Sequence, residues 1–280
     1  MRSKGLRSNH WCRMLLWVYI LIKASSVSAQ QYTGMSGLIH VPSADMRKEG
    51  EARIGAHFLN REFTPDVLTY DGDKYHTMSY YLSITPFRWV ELGYTCTLLR
   101  STRIKNNVED VDNPGLNRKD RYFSLKIQPI REKKSKWWPS VAVGMNDLFS
   151  MRKITEPPVD PETGKPKSIG NSFFANYYVS VSKHFDWGGH RVGLHVSYRN
   201  WQRERNSSFN GVVGGLTYQP SFQRNLRFIA EYTGNDVNVG FDWKLWKHLL
   251  IQSSLQNGKY FSGGICFCIN LLRKQSIINS

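Results

Sequence analysis

Arg53, Glu91, Lys126, Asn146, His195, Arg227, Glu231, Asn238 and Asp242 recur at alternate positions of short runs whose other positions are apolar. If those runs are strands, these residues share one face with His57, Ser124, Gln128 and Gln252, because successive side chains of a strand point to opposite sides. Two chemistries fit. Charges of both signs in a confined space can grip sugar hydroxyls through bidentate and charge-assisted hydrogen bonds. The same charges can instead pair across neighbouring strands and fill a narrow interior, and because buried charge must be matched this reading is the stronger. His195 and Ser197 sit two residues apart on that face, as a base and a nucleophile would. No third orienting acid follows from the spacing, so no catalytic residue is assigned and the chain is expected not to be an enzyme.

Metal and cofactor signals are weak. Glu109, Asp110 and Asp112 lack the alternating ligands and the glycine of a calcium loop, and read as a solvated loop. Cys266 and Cys268, at i and i+2 of one strand, lie about 7 Å apart by strand geometry, too far for a comfortable disulfide. No metal and no cofactor are expected. Arg131, Lys133, Lys134 and Lys136 precede Trp137 and Trp138. They read equally as a basic docking patch for an acidic partner and as lysines snorkelling beside interfacial tryptophans. Asn206-Ser207-Ser208 matches a glycosylation acceptor, which would have little meaning were the chain bacterial.

The elements that position these residues are read from periodicity. In Leu226–Trp243, Leu226, Phe228, Ala230 and Tyr232 alternate with Arg227, Ile229 and Glu231. After Gly234 and Asn235, Val237, Val239, Phe241 and Trp243 alternate with Asn238, Gly240 and Asp242, which makes a β-hairpin. Comparable runs recur from Glu51 to Leu271 and give twelve candidate strands, an even number. Most have the roughly 9 to 11 residues a tilted transmembrane strand needs.

Connections alternate in length. The odd ones, Arg61 to Lys74, Arg100 to Asp120, Leu148 to Asn171 and Asn200 to Asn210, are long, and only the two that follow, around Gly234 and Asn257, are tight. The even ones are short apart from Pro129 to Pro139. A soluble sandwich has no reason for this alternation, whereas a barrel with short periplasmic turns and long external loops does. Trp89, Trp137, Trp138, Trp187, Trp243, Trp246, Tyr32 and Tyr260 lie near strand ends and suit interfacial girdles. The fold class is therefore all-β, an antiparallel up-and-down transmembrane barrel of about 12 strands, with apolar residues toward lipid and ionic ones toward the lumen.

The N-terminus sets the compartment. Arg2, Lys4, Arg7 and Arg13 precede the apolar run MLLWVYILI (14–22), and Val27-Ser28-Ala29 offers a small-residue cleavage site. This reads as a signal peptide, residues 1–29, and the apolar run is too short to cross about 30 Å of hydrocarbon as a helix. Loss of its five basic residues takes the formal charge from +16 to +11. An exported basic chain has little access to nucleic acid, so anionic glycan or lipopolysaccharide is the better match. The remaining division is an N-terminal periplasmic segment at 30–50, the barrel at 51–271 and a tail at 272–280.

Several ordered blocks resemble the YjbH family: GMSGLIHVPSA (34–44) followed by Gly50 and Gly55, TPFRWVELGY (85–94), DRYFSLKIQ (120–128), PSVAVGMNDLFS (139–150), FFANYYVSVSKHF (173–185) and AEYTGNDVNVGFDW (230–243). The resemblance implies an outer-membrane barrel that takes part in exopolysaccharide or capsule production. Its expected surroundings are outer-membrane lipids and lipopolysaccharide, with polysaccharide and periplasmic export proteins as partners. Many relatives look longer and carry a lipoprotein signal, so tandem-barrel or lipid-anchored behaviour is not transferred.

Overall fold

A computed structural model of the chain describes residues 30–105, 108–133, 137–149 and 172–272, with side chains at 103–113 left aside. The expected signal (1–29), the C-terminal tail from residue 273, Lys134, Lys136 and residues 150–171 of the third odd loop lie outside the described residues.

The barrel strands are β1 (Glu51–Leu59), β2 (Thr77–Phe87), β3 (Val90–Lys105), β4 (Val108–Ile130), β5 (Ser140–Asn146), β6 (Asn176–Trp187), β7 (His190–Trp201), β8 (Gly211–Gln219), β9 (Leu226–Tyr232), β10 (Val237–Leu245), β11 (Leu249–Gln256) and β12 (Tyr260–Asn270). Each pairs antiparallel with its sequence neighbours, and β1 closes on β12 from Glu51 opposite Asn270 to Phe58 opposite Gly263. Among the described residues each strand of the ring is paired on both sides, so the closed wall presents no open sheet edge, which hydrocarbon would not tolerate. The β9–β10 hairpin keeps the register its alternation predicts, from Leu226 opposite Trp243 to Tyr232 opposite Val237.

The apolar alternates face out. Ile54, Leu82, Phe123, Val196, Leu216, Val237, Val239 and Phe267 are all exposed on the outer surface. Trp89, Trp137, Trp138, Trp187 and Trp246 lie exposed in the turns or strand ends on the side where β1 begins, an aromatic belt for one bilayer interface. That side is called the base here, and the opposite side the loop end.

Three readings are corrected. First, Arg100 to Asp120 is not a free loop: β3 and β4 continue as a paired hairpin to Lys105 opposite Val108. Beyond the bilayer both faces meet water, so pairing there demands no apolar alternation. Second, Tyr32 is buried inside the barrel and is not a girdle residue. Third, 30–50 does not lie outside the barrel in the periplasm. It runs within the lumen, where nearly every residue from Gln30 to Arg47 is buried.

Small side chains on the inner wall make room for it. A Cβ built at Gly93 would stand 2.7 Å from the Met35 sulfur, and one at Gly240 would stand 3.0 Å from Ile39 Cδ1. The third such notch is Gly215, against which Leu38 packs. Glycine inside a strand is costly, and a close approach by another segment is what justifies it. At the loop end Leu38, Ile39 and Val41 join Leu59, Phe63, Leu68, Tyr122, Phe174 and Trp201 in one apolar cluster beneath the loops.

Candidate functional site: the filled lumen

The polar residues on the inner wall hold segment 30–50. Glu231, on β9, accepts backbone hydrogen bonds from Ile39 (3.0 Å), His40 (2.9 Å) and Val41 (3.1 Å). Its cross-strand neighbour Asn238 donates a fourth at 2.8 Å. A carboxylate can accept about four hydrogen bonds, so this one is filled. On the other wall Glu91 accepts from the Ser36 amide at 2.7 Å and forms a fully buried ion pair with Arg47. Lys126, directly across the ladder from Glu91, donates to the carbonyls of Ser36 (3.0 Å) and Asp45 (2.6 Å).

The remaining candidates divide between wall and segment. Arg227 and Asp242 are cross-strand partners and form a buried ion pair; Gln252 bridges Asp242 (2.7 Å) to the Gln30 carbonyl (2.7 Å). Arg53 pairs with Glu51 at 2.6 Å and reaches the Gln30 side chain at 3.0 Å. Asn146 accepts from Ser124 (2.8 Å), and Gln128 donates to the Ala44 carbonyl at 2.5 Å. All nine first-rank candidates are buried on the lumen side, as strand parity predicts. Cross-strand pairing accounts for Arg227 with Asp242. Glu91, Lys126 and Glu231 mainly serve the inserted segment.

His195 and Ser197 do not form a pair. The His195 ring contacts Ser182 Oγ (2.8 Å) and Thr217 Oγ1 (3.1 Å), while Ser197 donates to the Pro42 carbonyl at 2.6 Å. Asn206 is buried and ties two loops together through Val67 and Phe173. In the base turn after β4, Arg131 and Lys133 are exposed, beside exposed Trp137 and Trp138. Glu132 between them folds back, accepting the His184 amide at 3.0 Å and the His184 ring at 2.8 Å, and pairing with Lys183 at 2.9 Å. Partial burial works against the Glu132 carboxylate, but those donors hold its pKa below the usual range. Cys266 and Cys268 are free and face the lumen with sulfurs 3.8 Å apart.

Sequence reasoning missed Ser36, Asp45, Arg47, His184 and Arg199. Ser36, Asp45 and Arg47 lacked an obvious signal, but His184 shares the parity of Ser180 and Ser182, and Arg199 that of His195 and Ser197, so both could have been placed on the lumen face. Apolar Leu38, Ile39 and Val41 in a segment without periodicity were the one hint that 30–50 is packed.

A closed twelve-strand antiparallel barrel with an apolar exterior and a polar, filled interior defines a transmembrane β-barrel of outer-membrane type. Within it, residues 29–152 match the YjbH family model, described as exopolysaccharide biosynthesis protein YbjH, the family that the sequence blocks resemble. Among solved structures, the barrel is similar to the Salmonella typhi outer membrane phospholipase dimer with bound calcium, at 10% identity, over 79% of this chain and 89% of that one, with a TM-score of 0.32. It is likewise similar to outer membrane phospholipase A from Escherichia coli, at 11% identity, over 81% and 99% of the two chains, with a TM-score of 0.32. No curated protein matches the chain in sequence.

Proposed function

We propose that this chain is a non-enzymatic outer-membrane barrel that takes part in the export or assembly of an exopolysaccharide or capsule, with its passage closed at rest. The family-model match over 29–152 supports the polysaccharide role. The observation that carries the closed state is the grip of Glu91, Lys126 and Glu231 on segment 30–50. In this reading the base turn faces the periplasm and the longer connections face out. Outer-membrane lipid and lipopolysaccharide surround the apolar belt, and Arg131 and Lys133 beside the tryptophan pair meet a periplasmic export partner.

A general pore without a glycan role is the second reading, and the filled lumen counts against an open one. Deleting the gene and staining for surface polysaccharide tests the proposal. The expected result is loss or thinning of the polysaccharide coat, restored by the intact gene. An unchanged coat would remove the glycan role.

A further inference from the structure

We propose that Asp45, His184 and His195 form a binding site for a divalent metal ion of the zinc type, at the base of the lumen where the inserted segment meets the wall. Asp45 belongs to segment 30–50, His184 to β6 and His195 to β7, and one donor atom from each lies within 4.8 Å of the others. Asp45 Oδ1 stands 3.5 Å from His184 Nε2, and Asp45 Oδ2 stands 3.9 Å from His195 Nδ1. Ligands held about 2.0–2.2 Å from a tetrahedral ion are separated from each other by about 3.3–3.6 Å, so small side-chain shifts close the site.

The hydrogen bonds behind the ligands favour this reading. His184 Nδ1 lies 2.8 Å from the Glu132 carboxylate, which accepts its proton and leaves the Nε2 lone pair toward Asp45. A carboxylate behind a ligating histidine is the recurrent support of zinc sites. His195 Nε2 lies 3.1 Å from Thr217 Oγ1; with its proton there, Nδ1 is the bare nitrogen on the Asp45 side. The Ser182 hydroxyl, 2.8 Å from that nitrogen, must turn aside, and a water takes the fourth position.

Two imidazoles and one carboxylate suit zinc, cobalt or nickel, whereas calcium and magnesium need more oxygen donors. The His195 side chain is fully buried, while those of Asp45 and His184 keep 20% and 12% of their exposure, which leaves an entry path. Lys126, bound to the Asp45 carbonyl, Lys183, paired with Glu132, and Arg191 and Arg227 nearby all oppose a cation here, and Glu132 offsets them in part. An ion here would pin the inserted segment to two strands at once.

The test uses the full chain folded in detergent and stripped with chelator. It is titrated with zinc chloride by calorimetry and with cobalt chloride by visible absorption. The expected result is one zinc per chain, the intense bands of four-coordinate cobalt, and affinity that rises with pH as imidazole protons are released. His184→Gln and His195→Gln should abolish binding while circular dichroism and heat-modifiable migration stay those of a folded barrel. Glu132→Gln, which leaves every ligand in place, should weaken it about 10- to 100-fold. If one histidine variant does not fold, the other and Glu132→Gln decide. Absence of saturable binding overturns the proposal, as does binding that survives loss of either histidine in a folded barrel. In that case His184 is a hydrogen-bonding bridge between Asp45 and Glu132.

Discussion

Truncating Glu231 to alanine should free segment 30–50 without opening the barrel. Its carboxylate accepts three consecutive backbone amides and one side-chain amide, all buried. Hydrogen bonds to a charged acceptor are worth roughly 1.5–3 kcal/mol each, but water entering the vacated space recovers part of the sum. Removing one partner from a buried charged network costs about 3–5 kcal/mol, which sets the scale of the docking loss. At about 1.4 kcal/mol per tenfold, the undocked population rises by two to three and a half orders of magnitude. Glu231→Gln keeps one acceptor oxygen but turns an amide NH2 toward the donors, and should cost about half as much. Hydrogen exchange read by mass spectrometry on peptides covering residues 36–44 measures this directly, because their amides exchange through the undocked state. Planar-bilayer conductance reports the same event as bursts of opening. Exchange within threefold of the unaltered protein, in a barrel that still migrates as folded, would refute the clamp.

Other perturbations separate wall, segment and lipid face. Gly93→Ala should press on Met35 and cost about 1–3 kcal/mol of docking. Met35→Ala in the same chain should give part of that back, so a double-mutant cycle by hydrogen exchange that shows no coupling would contradict the notch. Val196→Arg places a charge on the outer face near mid-strand and should lower folding stability in lipid by about 2–4 kcal/mol, read by denaturant titration into vesicles. An effect near zero would place that face away from hydrocarbon.

A pH response follows from His40, which stacks between Tyr32 and Phe63 with ring centroids 4.7 Å away on both sides. Burial, with the Arg199 guanidinium nearby, holds its pKa well below the ordinary histidine value. Glu231, Tyr32 and Phe63 are the other groups facing it. Below about pH 6.5 the undocked segment takes up a proton that the docked one does not. Docking therefore weakens as pH falls, by at most about 1.4 kcal/mol per unit. His40→Gln should flatten the exchange rates of 30–50 between pH 6.5 and 5, and an unchanged slope would assign the effect elsewhere.

The wall was legible because lipid enforces a rule that sequence records: every second residue from Leu226 to Trp243 must be apolar, so its neighbours must face in. That is why the sequence alone places Glu91, Lys126 and Glu231 on the inner wall. It does not place their partners. Ile39 and Glu231 are 192 residues apart in the chain, and neither residue type announces the other. Segment 30–50 folds against a curved wall, bonding through backbone amides, so it needs no side-chain period and shows none. The β3–β4 extension was hidden for a related reason, since its strands pair beyond the bilayer where neither face must be greasy.

The way the lumen is filled bears on how a polymer could pass it. Twelve strands enclose more space than wall side chains alone can fill, whereas about eight strands would suffice. The chain fills that space with its own backbone. At the loop end the seal is apolar, Leu38, Ile39 and Val41 against Phe174 and Trp201, and releasing it exposes hydrocarbon to water. Toward the base the contacts are carboxylate to amide and ammonium to carbonyl, and hydroxyl groups can replace those almost one for one. A polyhydroxylated ligand arriving from the base would therefore meet the weaker seal first, and would gain from Glu91 and Lys126 the hydrogen bonds that segment 30–50 gives up. Under the proposed export role, the two chemistries that the inner-wall residues allow, gripping sugar and closing the barrel, would be successive uses of the same side chains.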